Sequence, residues 1–350
     1  MLPRFPSKLS LASLPSPLRP LSRLSAHIGG PRIWLKSDDL SGSTLSGNKV
    51  RKLEFTLAAA LEAGCDTLIT CGGLQSNHCR ATAILAARLG LKVHLILRGD
   101  PPDHLDGNHL LDALVGAQIS IYPAKQYHHE LDALFEHWQQ HYQNLGSKVW
   151  CVPTGASDGW GLWGYLNASI ELQNDFERHG IEPEYVICAT GSGGTQAGLS
   201  LGFALQQTST QVLGMAVCDD AAYFKNKAEH DIREWAALLD RDDYARCAPA
   251  LENLNVQTND AYIGPGYARA YPEALETIKL LARLEGEILD PVYTGKAFYG
   301  MLNEIKKGSF EHCSDLVFVH TGGIFGVFPF RDELQRTLNQ NALFTGVENA

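Results

Sequence analysis

Three cations crowd into Ser46-Gly47-Asn48-Lys49-Val50-Arg51-Lys52, where the pattern reads as the start of a helix. Positive charge there opposes the helix dipole, at a cost of about a few tenths of a kcal/mol per group, so something should compensate. Lys49 and Lys52 are three apart and share a helix face. A neighbouring cation lowers a lysine's pKa, which is what an amine nucleophile needs to form a Schiff base. A solvated basic patch is the plainer meaning of the same residues. Gly191-Ser192-Gly193-Gly194-Thr195 follows the apolar segment EYVICA and opens another helix. Glycines let a backbone approach an anion closely, and a helix start offers free N–H groups, so the turn suits a phosphate monoester. No Gly-Lys-Ser/Thr follows, and Gln196 stands where a dinucleotide fingerprint has its third glycine. A tight strand–helix turn would use the same glycines.

Gln75-Ser76-Asn77-His78 marks a further helix start, with hydroxyl and amide groups suited to a carboxylate or to ordinary capping. Asp290-Pro291-Val292-Tyr293-Thr294-Gly295-Lys296 and His320-Thr321-Gly322-Gly323 are two more junctions. Tyr293 can be an acid/base or a packed aromatic, and Thr321 a ligand hydrogen-bonder or a turn former. His128, His129, His137 and His141 lie on one predicted helix, but without an H-E-x-x-H arrangement or an acidic partner, and no metal is expected.

These junctions need elements to hold them. From Pro31 onward, strand-like and helix-like segments alternate. Strands are predicted at 33–36, 67–71, 93–97, 119–122, 149–152, 185–189, 212–217 and 316–320. Helices are predicted at 49–63, 79–89, 105–115, 128–143, from about 159 to 178, 195–206, around 231–239, 273–285 and 296–306. Repeated βα units indicate an α/β fold of parallel sheets with helices on both faces and ligands at the strand C-terminal ends. No internal repeat or low-complexity linker interrupts it.

A chain of 350 residues exceeds what one core usually serves, so two domains are expected. Hydrophobic residues at 45% supply a large core and exclude wholesale disorder. Lys plus Arg total 29 against 39 Asp plus Glu, a net charge of −10 that argues against nucleic acid as the main ligand. No apolar run approaches the roughly 20 residues that span a bilayer. The start, MLPRFPSKLSLASLPSPLRPLSRL, lacks a secretory core, and its prolines oppose an amphipathic helix; an extended arm packed on the body is expected. Eight scattered cysteines without a C-x-x-C pair fit reduced, buried thiols in a cytoplasmic protein.

Each motif alone is weak, but their order is specific. It resembles the pyridoxal-phosphate (PLP) enzymes of the tryptophan-synthase-β type, fold type II, and more narrowly the D-cysteine desulfhydrase and 1-aminocyclopropane-1-carboxylate (ACC) deaminase family. The resemblance runs from Arg4-Phe5-Pro6 through LSGNKVRKLEF, GGLQSNHCRATA, GSGGTQAGLSLG and LDPVYTGKA to HTGG, nearly the whole chain. It implies two open twisted α/β domains with PLP in the cleft between them: a large one from 1–51 and 166–350, and a smaller inserted one at 52–165. It implies that Lys49 binds PLP as a Schiff base and that Asn77 bonds the ring oxygen. Gly191, Ser192, Gly193, Gly194 and Thr195 would cradle the phosphate near Lys52, and Thr321 would lie against the pyridine nitrogen. Ser76 with its neighbours Asn77 and His78 would hold the substrate carboxylate, and Ser76 would assist proton transfer. Tyr293, Thr294 and Tyr267, the last in GPGYA, would face the substrate. A homodimer acting on a small amino acid is the family's habit.

The residue after Tyr293 is expected to discriminate. The ACC-opening branch carries Glu there; this chain has Thr294. A hydroxyl cannot stabilise a protonated pyridinium as a carboxylate does. A less protonated ring is a weaker electron sink, which suits β-elimination, where the departing thiolate takes the electrons. The expectation is therefore elimination from D-cysteine to pyruvate, ammonia and hydrogen sulfide, with Lys49 or Ser76 removing the α-proton. ACC deamination, elimination from another β-substituted amino acid, and a non-catalytic phosphate binder are the alternatives.

Overall fold

The computed structural model describes residues 2–252 and 254–338. In chain order the elements are β1 (Leu18–Pro20), α1 (Ser22–Ile28), β2 (Arg32–Lys36), α2 (Lys49–Glu62), β3 (Thr67–Gly73), α3 (Asn77–Leu89), β4 (Lys92–Arg98) and α4 (Gly107–Leu114). There follow β5 (Gln118–Tyr122), α5 (Ala124–Asn144), β6 (Val149–Val152), α6 (Gly159–His179), β7 (Tyr185–Thr190), α7 (Gly194–Gln206) and β8 (Gln211–Ala216). The last are α8 (Ala221–Ala237), α9 (Arg241–Glu252), β9 (Gln257–Asn259), α10 (Pro272–Glu285), α11 (Thr294–Lys306), β10 (Asp315–Val319) and α12 (Arg331–Thr337).

The strands form two sheets. One has six strands in the order β1-β2-β10-β7-β8-β9, parallel except for β1 against β2. The other has four parallel strands, β5-β4-β3-β6. Alternating side chains of a strand point to opposite faces, and both faces of the larger sheet are apolar. Ile33, Leu35, Ile187, Leu316 and Phe318 join α1, α10 and α11 on one side. Trp34, Val186, Cys188, Val317 and Val319 join α6 and α7 on the other. In the smaller sheet Leu68, Leu95 and Leu97 pack with α2 and α3, while Ile69, Cys71 and Ile96 pack with α5.

Helix α2 serves both halves. Val50, Leu53, Leu57 and Ala60 belong to the core of the four-stranded sheet, whereas Phe55 packs with Leu162 and Trp163 of α6. The α2–α6 approach is so close that a Cβ on Gly164 would lie 2.5 Å from the Arg51 carbonyl oxygen. The expected divisions after residues 51 and 165 thus fall inside α2 and α6.

Predicted and observed elements agree to within a few residues for the central strands and helices. Three helices start earlier than expected because side chains cap them. Ser76 Oγ accepts from Cys79 N at the head of α3, Asp220 from Tyr223 N at the head of α8, and Asp290 from the Val292, Tyr293 and Thr294 N–H groups ahead of α11. The N-terminal arm is extended as far as β1 and is tied down where Glu54 Oε1 accepts from Leu11 and Ala12 N–H. It then turns into helix α1, which the prolines before it do not reach. The eight cysteines are free thiols. Among the described residues no helix is long and apolar enough to cross a membrane.

A buried ionic network ties the large sheet to α2 and α6. Arg51 Nη2 and Nε donate to Asp38 Oδ1 and Oδ2 at 2.7 and 3.0 Å, and its Nη1 donates to Glu171 Oε2 at 3.0 Å. Lys36 Nζ lies 2.6 Å from Asp175 Oδ2 and from Glu171 Oε1, and Tyr165 donates to Asp38 at 2.5 Å. Burial alone would raise the Asp38 pKa, but Arg51 and Lys36 outweigh it and hold it below the ordinary 3.8. A folded pKa below the unfolded one means stability that is complete above 3.8 and lost as pH falls through the lower folded value. Replacing Arg51 by Ala strands Asp38 in the interior and should cost about 3–5 kcal/mol at neutral pH. Urea unfolding of R51A against the parent protein measures this, with the gap narrowing in acid as Asp38 takes up a proton.

Candidate active site

The C-terminal ends of β3, β6, β7 and β10 open on a common cleft of about 600 Å³ lined by Lys49, Ser76, Asn77, Gly191, Tyr293 and Thr321 among others. This is where a parallel-sheet fold binds ligands. Lys49 reaches the cleft because its loop runs backbone against backbone past the end of β10. Asn48 N donates to the Thr321 carbonyl at 3.1 Å. A Cβ on Gly47, whose φ is +110°, would stand 2.4 Å from that same oxygen. Only glycine fits there. Burial pushes the Lys49 amine down to about 8, with Asp290 pulling weakly the other way.

One turn further along α2, Lys52 is fully buried. Its Nζ donates to the Gly155 carbonyl at 3.2 Å and to Ser157 Oγ at 3.1 Å, and among the described residues no carboxylate touches it. Burial first, then the Lys49 charge, drives its pKa well down. Ser157 Oγ also lies 2.9 Å from Ser192 Oγ and accepts from Gly194 N at 3.2 Å. A Cβ on Gly194 would sit 2.8 Å from Lys52 Nζ. Thr195 Oγ1 accepts from Asn48 Nδ2 at 2.8 Å. The turn Gly191–Thr195, with Ser157 and Lys52 beside it, is therefore a cradle of hydroxyls, N–H groups and a buried amine at the head of α7. A phosphate dianion fits it, because such an anion would favour the protonated form of the buried Lys52 amine and meet the free N–H groups of the helix head.

The small-sheet wall is the first turn of α3. Ser76 is its N-cap, so the hydroxyl oxygen is engaged with Cys79 N while the proton remains free to donate. Asn77 lines the cleft, and its Oδ1 accepts from Asn108 Nδ2 at 3.0 Å. His78 is buried with Nε2 at 2.7 Å from Thr70 Oγ1. That hydroxyl donates onward to the Val152 carbonyl, so Nε2 carries the proton. Burial, Lys49 and Lys52 hold the ring neutral by lowering its pKa strongly.

Facing this wall, Tyr267 and Tyr293 bring their phenol oxygens to 2.6 Å. Tyr293 Cε1 lies 3.0 Å from where a Gly191 Cβ would be, and Tyr267 comes within 3.6 Å of the corresponding point on Gly73. Burial raises both phenol pKa values, so both stay protonated at neutral pH. The loop carrying Tyr267 is held by Lys296 of α11, whose buried Nζ donates to the carbonyls of Gly266 at 2.7 Å and Ile263 at 2.9 Å. Arg98, at the end of β4, lays its guanidinium 4.9 Å from the Tyr267 ring centroid and bonds His128 at 2.9 Å.

Thr294, expected to face the substrate, sits apart from the cleft wall. Thr294 is not among the cleft residues. It is fully buried, its hydroxyl donates to Asp290 Oδ1 at 2.7 Å and accepts from Asp290 N at 2.8 Å, and both directions are used within the helix cap. The spacing after Tyr293 suggested a ligand contact; the need to cap α11 claims the side chain instead. Of the histidine run, His128 faces the cleft, while His137 and His141 flank Trp138 at 5.0 and 5.3 Å. Ser157, Arg98, Tyr127, Thr154 and Asp219 also line the cleft and were not singled out in the sequence. The only signal was position: each follows or ends a strand, or lies in the first turn after one.

The model of the pyridoxal-phosphate dependent enzyme family matches residues 9–322. The bifunctional D-cysteine desulfhydrase/1-aminocyclopropane-1-carboxylate deaminase of Arabidopsis thaliana mitochondria is 38% identical over 336 residues, covering 93% of this chain and 80% of that one. The D-cysteine desulfhydrase of Klebsiella pneumoniae is 36% identical over 343 residues, covering 95% and 98%. Among solved structures, an ACC deaminase homologue superposes with a TM-score of 0.82 at 34% identity, over 95% of this chain and 96% of that one.

We propose that capture of PLP by the unloaded protein needs Lys49 as the free amine. Its rate should therefore rise about tenfold per pH unit below 8 and flatten above it, as stopped-flow absorbance will show. K52M, which removes the buried amine beside the Gly191–Thr195 turn, should weaken PLP binding by roughly 10- to 100-fold while leaving the pH at which capture flattens near that of Lys49.

Proposed function

The chain belongs to the pyridoxal-phosphate dependent enzyme family, within the group that holds ACC deaminases and D-cysteine desulfhydrases, and from that premise we propose that it eliminates hydrogen sulfide from D-cysteine, releasing pyruvate and ammonia. The observation that carries this choice is the fate of Asp290. Its carboxylate accepts three backbone N–H groups and the Thr294 hydroxyl, so it is spent on the helix cap. The neighbouring wall offers the cleft a hydroxyl, Thr321. A neutral partner does not favour protonation of a ring nitrogen. That suits a reaction in which a leaving thiolate takes up the electrons.

The residues divide the work as follows. Gly191–Thr195, Ser157 and Lys52 would hold the phosphate, Lys49 would make the covalent link, and Asn77 and Thr321 would meet the ring. When bound, PLP supplies the sink for negative charge developing at the substrate Cα. The head of α3, with free N–H groups and a favourable dipole, binds the substrate carboxylate. Burial lowers the Lys49 amine to about 8 in the unliganded cleft, so as a free amine it would be suited to taking the substrate α-proton near neutral pH. The hydrogen-bonded Tyr267–Tyr293 pair holds a phenol proton at the cleft, available to the departing sulfur. Water then converts the remaining enamine to pyruvate and ammonia, which balances D-cysteine plus water against pyruvate, ammonia and hydrogen sulfide.

ACC ring opening is the second reading, supported by the names of the Arabidopsis protein and of the solved homologue. The PLP-loaded protein offered D-cysteine, L-cysteine and ACC in parallel decides between the two. The proposal expects pyruvate and sulfide from D-cysteine; 2-oxobutyrate from ACC without sulfide from D-cysteine overturns it. Replacing Lys49 by Ala should remove the visible absorbance of the lysine-bound cofactor and lower turnover by at least about 10²-fold.

A further inference from the structure

Asn108, the second residue of α4, lies outside the cleft and is fully buried. It is locked to the loop that leads into α3. Its backbone N donates to Gln75 Oε1 at 2.9 Å, and Gln75 Nε2 donates to the Asp106 carbonyl at 2.9 Å. A backbone N–H can only give and a carbonyl can only receive, so the Gln75 amide has one possible orientation. The same logic fixes Asn108. One terminal atom of its side chain lies 3.0 Å from the Gln75 carbonyl oxygen, which cannot donate, so that atom is Nδ2. The second hydrogen of this amide goes to Asn77 Oδ1, also at 3.0 Å. The Asn77 oxygen is thereby committed away from the ligand, and what Asn77 has left for the cleft is its NH₂ group. Space enforces the register: Gly107 has φ +54°, and a Cβ there would lie 2.5 Å from Gln75 Oε1 and 2.6 Å from the Phe325 carbonyl.

We propose that Asn108 is a positioning residue that fixes the Asn77 amide with its N–H turned into the cleft, toward an anionic oxygen of the bound cofactor ring. The inference rests on the reading that Asn77 faces that ring. Without Asn108 the Asn77 amide is free to turn over and set a carbonyl against the anion. An Asp in its place can accept but not donate, and it drives Asn77 to the reversed orientation.

The test is the rate of PLP release from the loaded protein, followed by dilution into a PLP trap, for N77A, N108L, N108D and the double variant N77A/N108L. Thermal unfolding confirms that each is folded, and N108D carries the comparison if N108L is not. Loss of one hydrogen bond to a ligand corresponds to about fivefold faster release. N108L should show that change, N108D a larger one, and the visible band of the bound cofactor should move as it does in N77A. In the N77A background the Asn108 substitution should add nothing, since a residue acting through another has no effect once that other is gone. Wild-type release from folded N108L or N108D overturns the inference. So does an undiminished effect of N108L in the N77A background, which marks Asn108 as general scaffold. Wild-type release from N77A itself removes the underlying reading of Asn77, and is distinguishable because it appears in the single variant.

Discussion

Two lysines on one turn of α2, Lys52 fully buried and Lys49 half-buried at the cleft, have no acid in contact among the described residues, and the rest of the cleft follows from that imbalance. Arg51 lies between them in sequence and on the same turn, yet its charge is fully met by Asp38 and Glu171. One side of the helix is thus neutralised by the protein and the other is not. Burying an unpaired cation is expensive, and the unliganded protein meets that cost by a lowered proton affinity at both Lys52 and Lys49. The heads of α2, α3 and α7 converge on the same space, and their dipoles favour negative charge there as well. The fold concentrates positive potential in a protein whose net charge is −10.

Carboxylates near this potential are managed with equal care. Asp290 is close enough to Lys49 to influence it, but its oxygens are occupied by N–H groups at the start of α11 and by Thr294. Burial raises its pKa while those bonds lower it. A free carboxylate at that place would pair with Lys49 and hold it protonated. Capping a helix and keeping the amine reactive are therefore one arrangement, reached through a single side chain.

Much of this was legible in the sequence because it lies in local patterns. The strand-to-helix junctions at Lys49, Ser76 and Gly191 announce themselves through glycine, hydroxyl and amide residues beside apolar runs, and the structure brings these junctions to one cleft. What was hidden is of two kinds. Ser157 and Asn108 act on partners far away in sequence, through a hydroxyl shared among Lys52, Ser192 and Gly194 and an amide shared between Gln75 and Asn77. No spacing rule reveals such a pairing. Thr294 is the opposite case. Its position beside Tyr293 looks like a site, but a hydroxyl one residue into a helix is claimed first by the cap, and local sequence does not say which demand wins.

The strand order carries a consequence for how the protein is made. The four-stranded sheet draws on a continuous stretch ending at Val152, so its strands are all available once that residue has left the ribosome. The six-stranded sheet is different: β2, at Arg32–Lys36, pairs with β10, at Asp315–Val319. An early strand must wait, with one edge open, until β10, the last strand among the described residues, has been synthesised. The loop bearing Lys49 waits with it, since it leans on Thr321 and Gly322 beyond β10. The Lys49 loop therefore settles only after Thr321 has been made, and the long-lived open edge makes this sheet the slow and aggregation-exposed part of maturation.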